Sequence, residues 1–102
     1  MKVEGFEWDS GNILKNEAKH GLTHDVIEAF FHGKIQVGPD LKHSTQEERH
    51  LAIGRGPSDR PMIAVFTIRK IGGKNLIRPI SARFMHLKEA RKYEEAFAKN
   101  EN

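Results

Sequence analysis

Hydrophobic residues recur with helical spacing in two short stretches near the start of the chain and in one stretch near its end. A first helix is predicted between Ser10 and Gly21, because a capping hydroxyl opens this stretch and a glycine closes it. Thr23 and Gly33 bound a second short helix in the same way. A third, surface helix is predicted at the C-terminal end, with one apolar stripe formed by Leu87, Ala90, Tyr93 and Phe97.

Between residues 34 and 84 the hydrophobic pattern changes to the alternation typical of strands. The predicted strands are Ile35–Val37, His50–Ile53, Met62–Arg69 and Leu76–Phe84, after a first short strand that precedes the helices. Gly72-Gly73 predicts a hairpin, and Pro79, which has no N–H to donate, predicts an edge strand or a bulge. This order predicts an α+β fold, with an antiparallel sheet of four to five strands, two short N-terminal helices and one C-terminal helix.

Length and composition indicate one globular domain spanning residues 1–102, since 102 residues with 37% hydrophobic side chains supply one modest core. The chain contains no cysteine, which excludes disulfides and thiolate chemistry and fits a reducing compartment. Neither a signal peptide nor a membrane-spanning run is apparent in the sequence. We therefore expect a soluble, cytoplasmic protein.

Charge is distributed unevenly along the chain. Residues 1–33 carry three basic and six acidic side chains, residues 34–83 carry ten and four, and residues 84–102 carry four of each. The basic surplus thus coincides with the predicted strands. A basic sheet beside acidic or neutral helices indicates a polyanionic ligand, although scattered surface charges account for the same totals.

Three arginines stand at the ends of predicted strands. Arg49 opens one strand, Arg69 closes the next, and Arg83 closes the last. A guanidinium is planar, permanently charged and able to hold two phosphate oxygens at once. If these three side chains share one face of the sheet, they suit a phosphodiester ligand, but a one-residue slip in strand register would separate them.

A set of short segments, in order and spacing, resembles the BrnT family almost from end to end. These segments are Phe6-Glu7-Trp8-Asp9, Asn16 with Lys19-His20-Gly21, His43-Ser44 with Glu47-Glu48-Arg49, Ile53-Gly54, Phe66-Thr67-Ile68-Arg69, Ile80-Ser81-Ala82-Arg83 and Tyr93-Glu94-Glu95. The resemblance implies a RelE-like fold and the toxin half of a type II toxin–antitoxin pair. It further implies ribonuclease activity and inhibition by a BrnA-like ribbon-helix-helix antitoxin, through which alone the pair contacts DNA. One position departs from the family pattern: Asn12 stands where the family usually has lysine.

Metal-independent RNA cleavage needs a base for the 2′-hydroxyl proton and cations for the charge that develops on phosphorus. His43 is the candidate base, since imidazole exchanges protons near neutral pH, and Glu47 or Glu48 is placed to orient His43 or Arg49. Arg49, Arg69 and Arg83 are the candidate phosphate ligands. Further RNA contacts are predicted at Lys42, Thr67, Arg78, Ser81 and Tyr93.

Each candidate also has a purely structural interpretation. Arg49 can pair with the neighbouring acids, Arg83 can bridge to Glu89 or Glu94 on the last helix, and Tyr93 can serve as a helix-packing aromatic beside its possible role at the site.

Other classes of chemistry find less support in the sequence. His20 and His24 have the spacing of a helical zinc pair, but Gly21 falls where the helix should end and no HExxH motif exists, so neither a metal nor any other cofactor is expected. No helix-turn-helix is recognisable, which argues against a DNA-binding regulator. The alternative to a ribonuclease is a non-catalytic module that binds nucleic acid or an antitoxin.

Overall fold

The computed structural model describes residues 4–8, 21–40 and 48–97. Within these residues the chain forms two helices and four strands, in the order α1, β1, β2, β3, β4, α2. Their bounds are α1 His24–His32, β1 Gln36–Pro39, β2 His50–Arg55, β3 Pro61–Ile71, β4 Lys74–Phe84 and α2 Leu87–Phe97. The fold is α+β, as the sequence predicts. Only one of the two predicted N-terminal helices, α1, falls within the described residues; the other, including Asn12, lies outside them.

Helix α1 begins and ends at the residues that its sequence predicts. The Thr23 hydroxyl accepts a hydrogen bond from the backbone N–H of Val26 at 3.3 Å, which satisfies one of the unpaired donors of the first turn. At the other end, the N–H of Gly33 donates to the carbonyl of Phe30 at 3.1 Å. Both caps are local, which explains why the sequence pattern alone predicts them.

The four strands form one antiparallel sheet in the order β1-β2-β3-β4. The predicted hairpin joins β3 to β4 through Gly72 and Gly73, whose φ angles of 59° and 78° give the left-handed turn that matches strand twist. Beyond β4, the N-terminal segment adds a parallel bridge between Phe6 and Ile77. The predicted first strand is therefore present as this short edge pairing.

Helix α1 covers one face of the sheet, which we call the core face. Phe66 is fully buried there, and its ring lies 5.2 Å from the ring of Phe31 on α1. The core cluster on this side consists of Leu22, Ile27, Phe30, Phe31, Ala52, Met62, Ala64, Phe66, Ile77 and Ala82. Because side chains alternate along a strand, the odd-numbered residues of β2 and β3 point to the opposite side, which we call the outer face.

Helix α2 packs on one end of the outer face. Tyr93 is buried beside Ile53 and Ile63, and Phe97 lines the same groove. The remaining rows of the outer face, toward the β3–β4 hairpin, are not covered by α2. This division separates the sheet into a structural end and a candidate functional end.

A bulge in β4 shifts the register of this strand against β3 by one residue. Val65 pairs with Ser81 but Phe66 pairs with Pro79, so Ile80 is an extra residue in β4. Pro79 thus lies next to a bulge in β4. The outer edge of this strand is bridged to the N-terminal segment at Ile77, and such an edge position suits a proline because proline has no N–H to donate. Arg78 and Arg83 are five residues apart and would lie on opposite faces of a regular strand. The bulge places both on the outer face.

Trp8 ties the N-terminal segment to α1. Its indole ring stacks on the imidazole of His24 with 3.9 Å between ring centroids, and its N–H donates to Glu28 at 2.8 Å. Trp8 also packs against the core cluster. It is therefore a packing aromatic.

Candidate nucleic-acid interface

Polar residues from neighbouring strands lie in one line across the outer face. Thr67 on β3 pairs with Arg78 on β4. Arg49 precedes His50, which pairs with Phe66, so the same register places Arg49 next to Thr67. The backbone N–H of Asp40 donates to the carbonyl of Arg49 at 2.9 Å, which extends the line to the end of β1. We call Asp40, Arg49, Thr67 and Arg78 the polar row.

Within the polar row the accessible surface belongs to the arginines. Thr67 is only 1% exposed, and its hydroxyl makes no hydrogen bond with any residue that the structure describes. Asp40 is also buried, at 5% exposure, whereas Arg49 and Arg78 are partly exposed. Sequence reasoning passed over Asp40, because a Pro-Asp pair after a strand indicates only a turn. A buried carboxylate between two strand ends is visible only once the register is known.

Two further predicted residues lie next to the polar row. Arg69 pairs with Leu76 and is a diagonal neighbour of Arg78, a relationship that places side chains about 7–8 Å apart. Ser81 pairs with Val65 in the adjacent row and is exposed. The outer face therefore brings Arg49, Arg69 and Arg78 together, with Ser81 at their side.

The segment that carries the candidate base connects to this end of the sheet. Lys42, His43 and Glu47 lie outside the described residues. Of the described residues nearest to them in the chain, Asp40 belongs to the polar row, and Glu48, which is exposed, directly precedes Arg49 of that row. The predicted roles of these residues stay predictions.

Arg83 lies on the outer face too, but away from the polar row. It pairs with Ile63, four residues along β3 from Thr67, which corresponds to about 13 Å of strand. Its guanidinium donates two parallel hydrogen bonds to the carboxylate of Glu89 on α2, at 2.8 and 2.9 Å. Of the two partners that the sequence left open, Glu89 is the one that Arg83 contacts.

The Arg83–Glu89 pair alters the proton affinity of both groups. The hydrogen bonds from Arg83, and then the backbone N–H of His86, lower the pKa of Glu89 from 4.5 to about 2. The same contact raises the pKa of Arg83 above its ordinary value. Glu89 stands three residues after His86, and accepting its N–H forms half of a capping box at the start of α2.

A second arginine, which sequence reasoning missed, holds the other side of α2. Arg55 donates to Glu94 at 2.8 Å and to the carbonyl of Asp59 at 3.0 Å, and its guanidinium lies 5.3 Å from the ring centre of Tyr93. The hydrogen bond from Arg55 lowers the pKa of Glu94. Tyr93 is only 5% exposed beneath these contacts. Strand alternation could have identified Arg55 from the sequence, because Arg49 and Arg55 are an even number of residues apart and so lie on the same face of the sheet.

Among residues 4–8, 21–40 and 48–97, no group of three or more His, Cys, Asp or Glu side chains is close enough to hold a metal ion. Neither described helix has the length and apolar character required to span a membrane.

The fold and this face define a small α+β protein whose antiparallel sheet presents arginines suited to phosphate groups. The family model of the ribonuclease toxin BrnT, of type II toxin–antitoxin systems, matches residues 8–89. The chain belongs to this family. No curated protein matches the chain significantly in sequence. Membership carries the general description of a ribonuclease toxin that acts on RNA and has an antitoxin partner.

Proposed function

We propose that this protein is an endoribonuclease that binds RNA across the polar row and cleaves it there without a metal ion. The observation that supports this proposal is the placement of Arg49, Arg69 and Arg78 on one face of the sheet, in a chain of a ribonuclease toxin family. Guanidinium groups at such spacing suit the non-bridging oxygens of a phosphodiester.

The proposed reaction uses the 2′-hydroxyl of the substrate as its nucleophile. His43 accepts the 2′-hydroxyl proton, with Glu47 or Glu48 orienting its ring, and the 2′-oxygen attacks the adjacent phosphorus. The bond from phosphorus to the 5′-oxygen then breaks, and this oxygen takes a proton from a protein donor or from water. Arg49 and Arg78, with Arg69 beside them, stabilise the charge that develops on the phosphoryl oxygens.

Arg83 has a different proposed role. Its carboxylate partner Glu89 already occupies both arms of the guanidinium, and about 13 Å of strand separates it from the polar row. These contacts support a positioning residue that holds α2 on the sheet. Direct phosphate contact by Arg83, the sequence-based prediction, requires instead that RNA displaces Glu89, and a comparison of Arg83→Gln with Glu89→Gln distinguishes the two roles.

Inhibition by the antitoxin is proposed to be occlusion. A BrnA-like antitoxin that places an acidic or apolar segment over the polar row removes the surface that RNA needs. RNA and antitoxin should therefore compete. A complex in which both occupy this face of one molecule contradicts occlusion without affecting the proposed cleavage.

The test is cleavage of an end-labelled RNA by the purified protein in EDTA, beside the same sequence made as DNA. We expect cleavage of RNA only, because DNA lacks the 2′-hydroxyl. Arg78→Ala and His43→Ala should lose activity, and Lys88→Ala on α2, which removes an equal charge from an exposed position, should retain it. A folded wild-type protein that binds RNA but does not cleave it supports the non-catalytic binding module instead.

A further inference from the structure

The β3–β4 hairpin extends past the rest of the described sheet. The pairing of β3 with β2 ends at Phe66, whereas the pairing of β3 with β4 continues to Ile71 and Lys74. Residues 68–77, which we call the arm, therefore form a two-stranded ribbon. The N-terminal segment touches the β4 edge of the arm, through backbone hydrogen bonds near Asn75 and Ile77.

The arm lies in a stretch of chain without acidic residues. From Arg60 to Lys88 the sequence contains no Asp or Glu and seven Lys or Arg residues. Three of these, Arg69, Lys70 and Lys74, belong to the arm. Glu4 lies at its β4 edge, where the Glu4 carboxylate accepts the backbone N–H of Asn75. The charge of the arm is thus strongly positive, as expected for a contact with a polyanion.

Strand alternation divides these cations between the two faces of the arm. Arg69 pairs with Leu76 and Lys74 pairs with Ile71, and these four residues lie on the outer face together with the polar row. Lys70, which pairs with Asn75, lies on the opposite face. Arg78, Arg69 and Lys74 consequently follow one another along a single surface, in rows about 7 Å apart.

Apolar side chains separate the cations on this surface. Ile71 is 49% exposed at the tip of the arm, and Leu76 is partly exposed one row below it. Cations alternating with apolar contacts suit a single strand, whose phosphates and unstacked bases are both accessible. A duplex would offer phosphates but not base faces.

We propose that the arm is a second RNA-binding element, which holds single-stranded RNA after it crosses the polar row. This inference rests on the proposed function, which places the RNA across the polar row and so directs its continuation toward the arm. Lys74 binds a phosphate beyond the cleavage site, Arg69 links the arm to the polar row, and Ile71 and Leu76 contact bases. The arm contributes to affinity and to salt dependence, and apart from Arg69 it takes no part in the chemical step.

The test compares Lys74→Ala with Lys70→Ala, two exposed positions with the same charge on opposite faces of one hairpin. The probe is a short single-stranded RNA with 2′-O-methyl groups, which prevents cleavage during a binding titration. We expect the slope of log Kd against log salt concentration to become shallower by ~0.7 for Lys74→Ala, because one phosphate contact is lost. Lys70→Ala should change the slope much less, and melting curves should show both variants folded.

Three results overturn the inference. Equal effects of the two substitutions indicate long-range charge rather than a bound strand on the outer face. If Lys74→Ala does not change the slope of log Kd against log salt concentration, or changes it only for a duplex RNA, the arm is not a binding site for single-stranded RNA. Cleavage of unmodified RNA by the wild-type protein is measured separately. If Lys74→Ala makes the salt dependence of binding shallower but the wild-type protein does not cleave RNA, the proposed reaction is wrong and the RNA-binding role of the arm still holds.

Discussion

Arg83 and Glu89 connect the last strand to the last helix through one carboxylate. Glu89 accepts two hydrogen bonds from the Arg83 guanidinium and a third from the backbone N–H of His86, the residue that directly precedes α2. A single side chain therefore caps the helix and fixes it to the outer face.

We predict that Glu89→Ala lowers the free energy of unfolding by about 1–2 kcal/mol, because it removes both the capping contact and the ion pair. Solvent screening reduces the contribution of the ion pair itself to the free energy of unfolding, since the two side chains are 34% and 39% exposed. Urea titration, followed by the emission of the sole tryptophan, measures the change. Lys88→Ala, one residue earlier on α2, is the control and should shift stability by less than about 0.5 kcal/mol. Equal losses in the two variants contradict the dual role of Glu89.

The Arg83–Glu89 pair also predicts a loss of stability in acid. The pKa of Glu89 is about 2 in the folded protein and 4.5 ordinarily, so the unfolded chain binds the proton more tightly. The stabilisation is complete above pH 4.5 and is lost as the pH falls toward 2. Between these values the unfolding free energy of the wild type should fall more steeply than that of Glu89→Gln, as measured by urea titrations at several pH values. Parallel curves would show that Glu89 does not titrate with folding.

Two glycines in neighbouring strands provide a matched test of packing. A Cβ at Gly54 would lie 2.9 Å from the side chain of Ile35 and 3.1 Å from the carbonyl of Lys34, whereas a Cβ at Gly38 would have no atom within 4 Å. We expect Gly54→Ala to cost about 1–3 kcal/mol, because a backbone atom must move. Gly38→Ala should be neutral or slightly stabilising, since it restricts only the unfolded chain. Thermal unfolding of the two variants decides the matter, and a similar loss in both would refute the packing argument.

The sequence predicted those elements whose ends depend on local chemistry. Thr23 and Gly33 delimit α1 through their own backbone contacts, and Gly72-Gly73 forms the hairpin through its left-handed φ angles. Pro79 indicated an edge strand or a bulge without showing what either would do to neighbouring side chains. The effect of the bulge depends on pairing with β3, which a strand pattern does not encode.

The candidate site shows the same limit. Each of Arg49, Thr67 and Arg78 was selected from the sequence, but their common row follows from pairings between distant strands. Arg83 and Arg69 share a face, as required for the predicted arginine cluster, yet lie toward opposite ends of it. Which acid would pair with Arg83 was undecidable from spacing alone, because Glu89 and Glu94 lie on the same helix. Arg55 takes Glu94, and the two ion pairs together hold α2.

The final prediction separates a positioning role of Arg83 from a catalytic one. If Arg83 acts only by holding Glu89, then Arg83→Gln and Glu89→Gln remove the same interaction. Each should lower kcat/KM by no more than about tenfold, and the double variant should be no worse than either, because the losses are shared. Arg78→Gln should cost on the order of 10²–10³-fold in kcat, as expected for a charge that stabilises the transition state.

These rates are measured on a labelled RNA well below the melting temperature of each variant, so that unfolding does not imitate a kinetic loss. A catalytic Arg83 predicts the reverse pattern. The kcat of Arg83→Gln would then fall as far as the kcat of Arg78→Gln. The kcat of Glu89→Gln, a variant that releases the Arg83 guanidinium, would stay near the wild-type value or exceed it. In that case RNA must displace Glu89 from Arg83, and the bidentate pair is a resting state of the site rather than part of its scaffold.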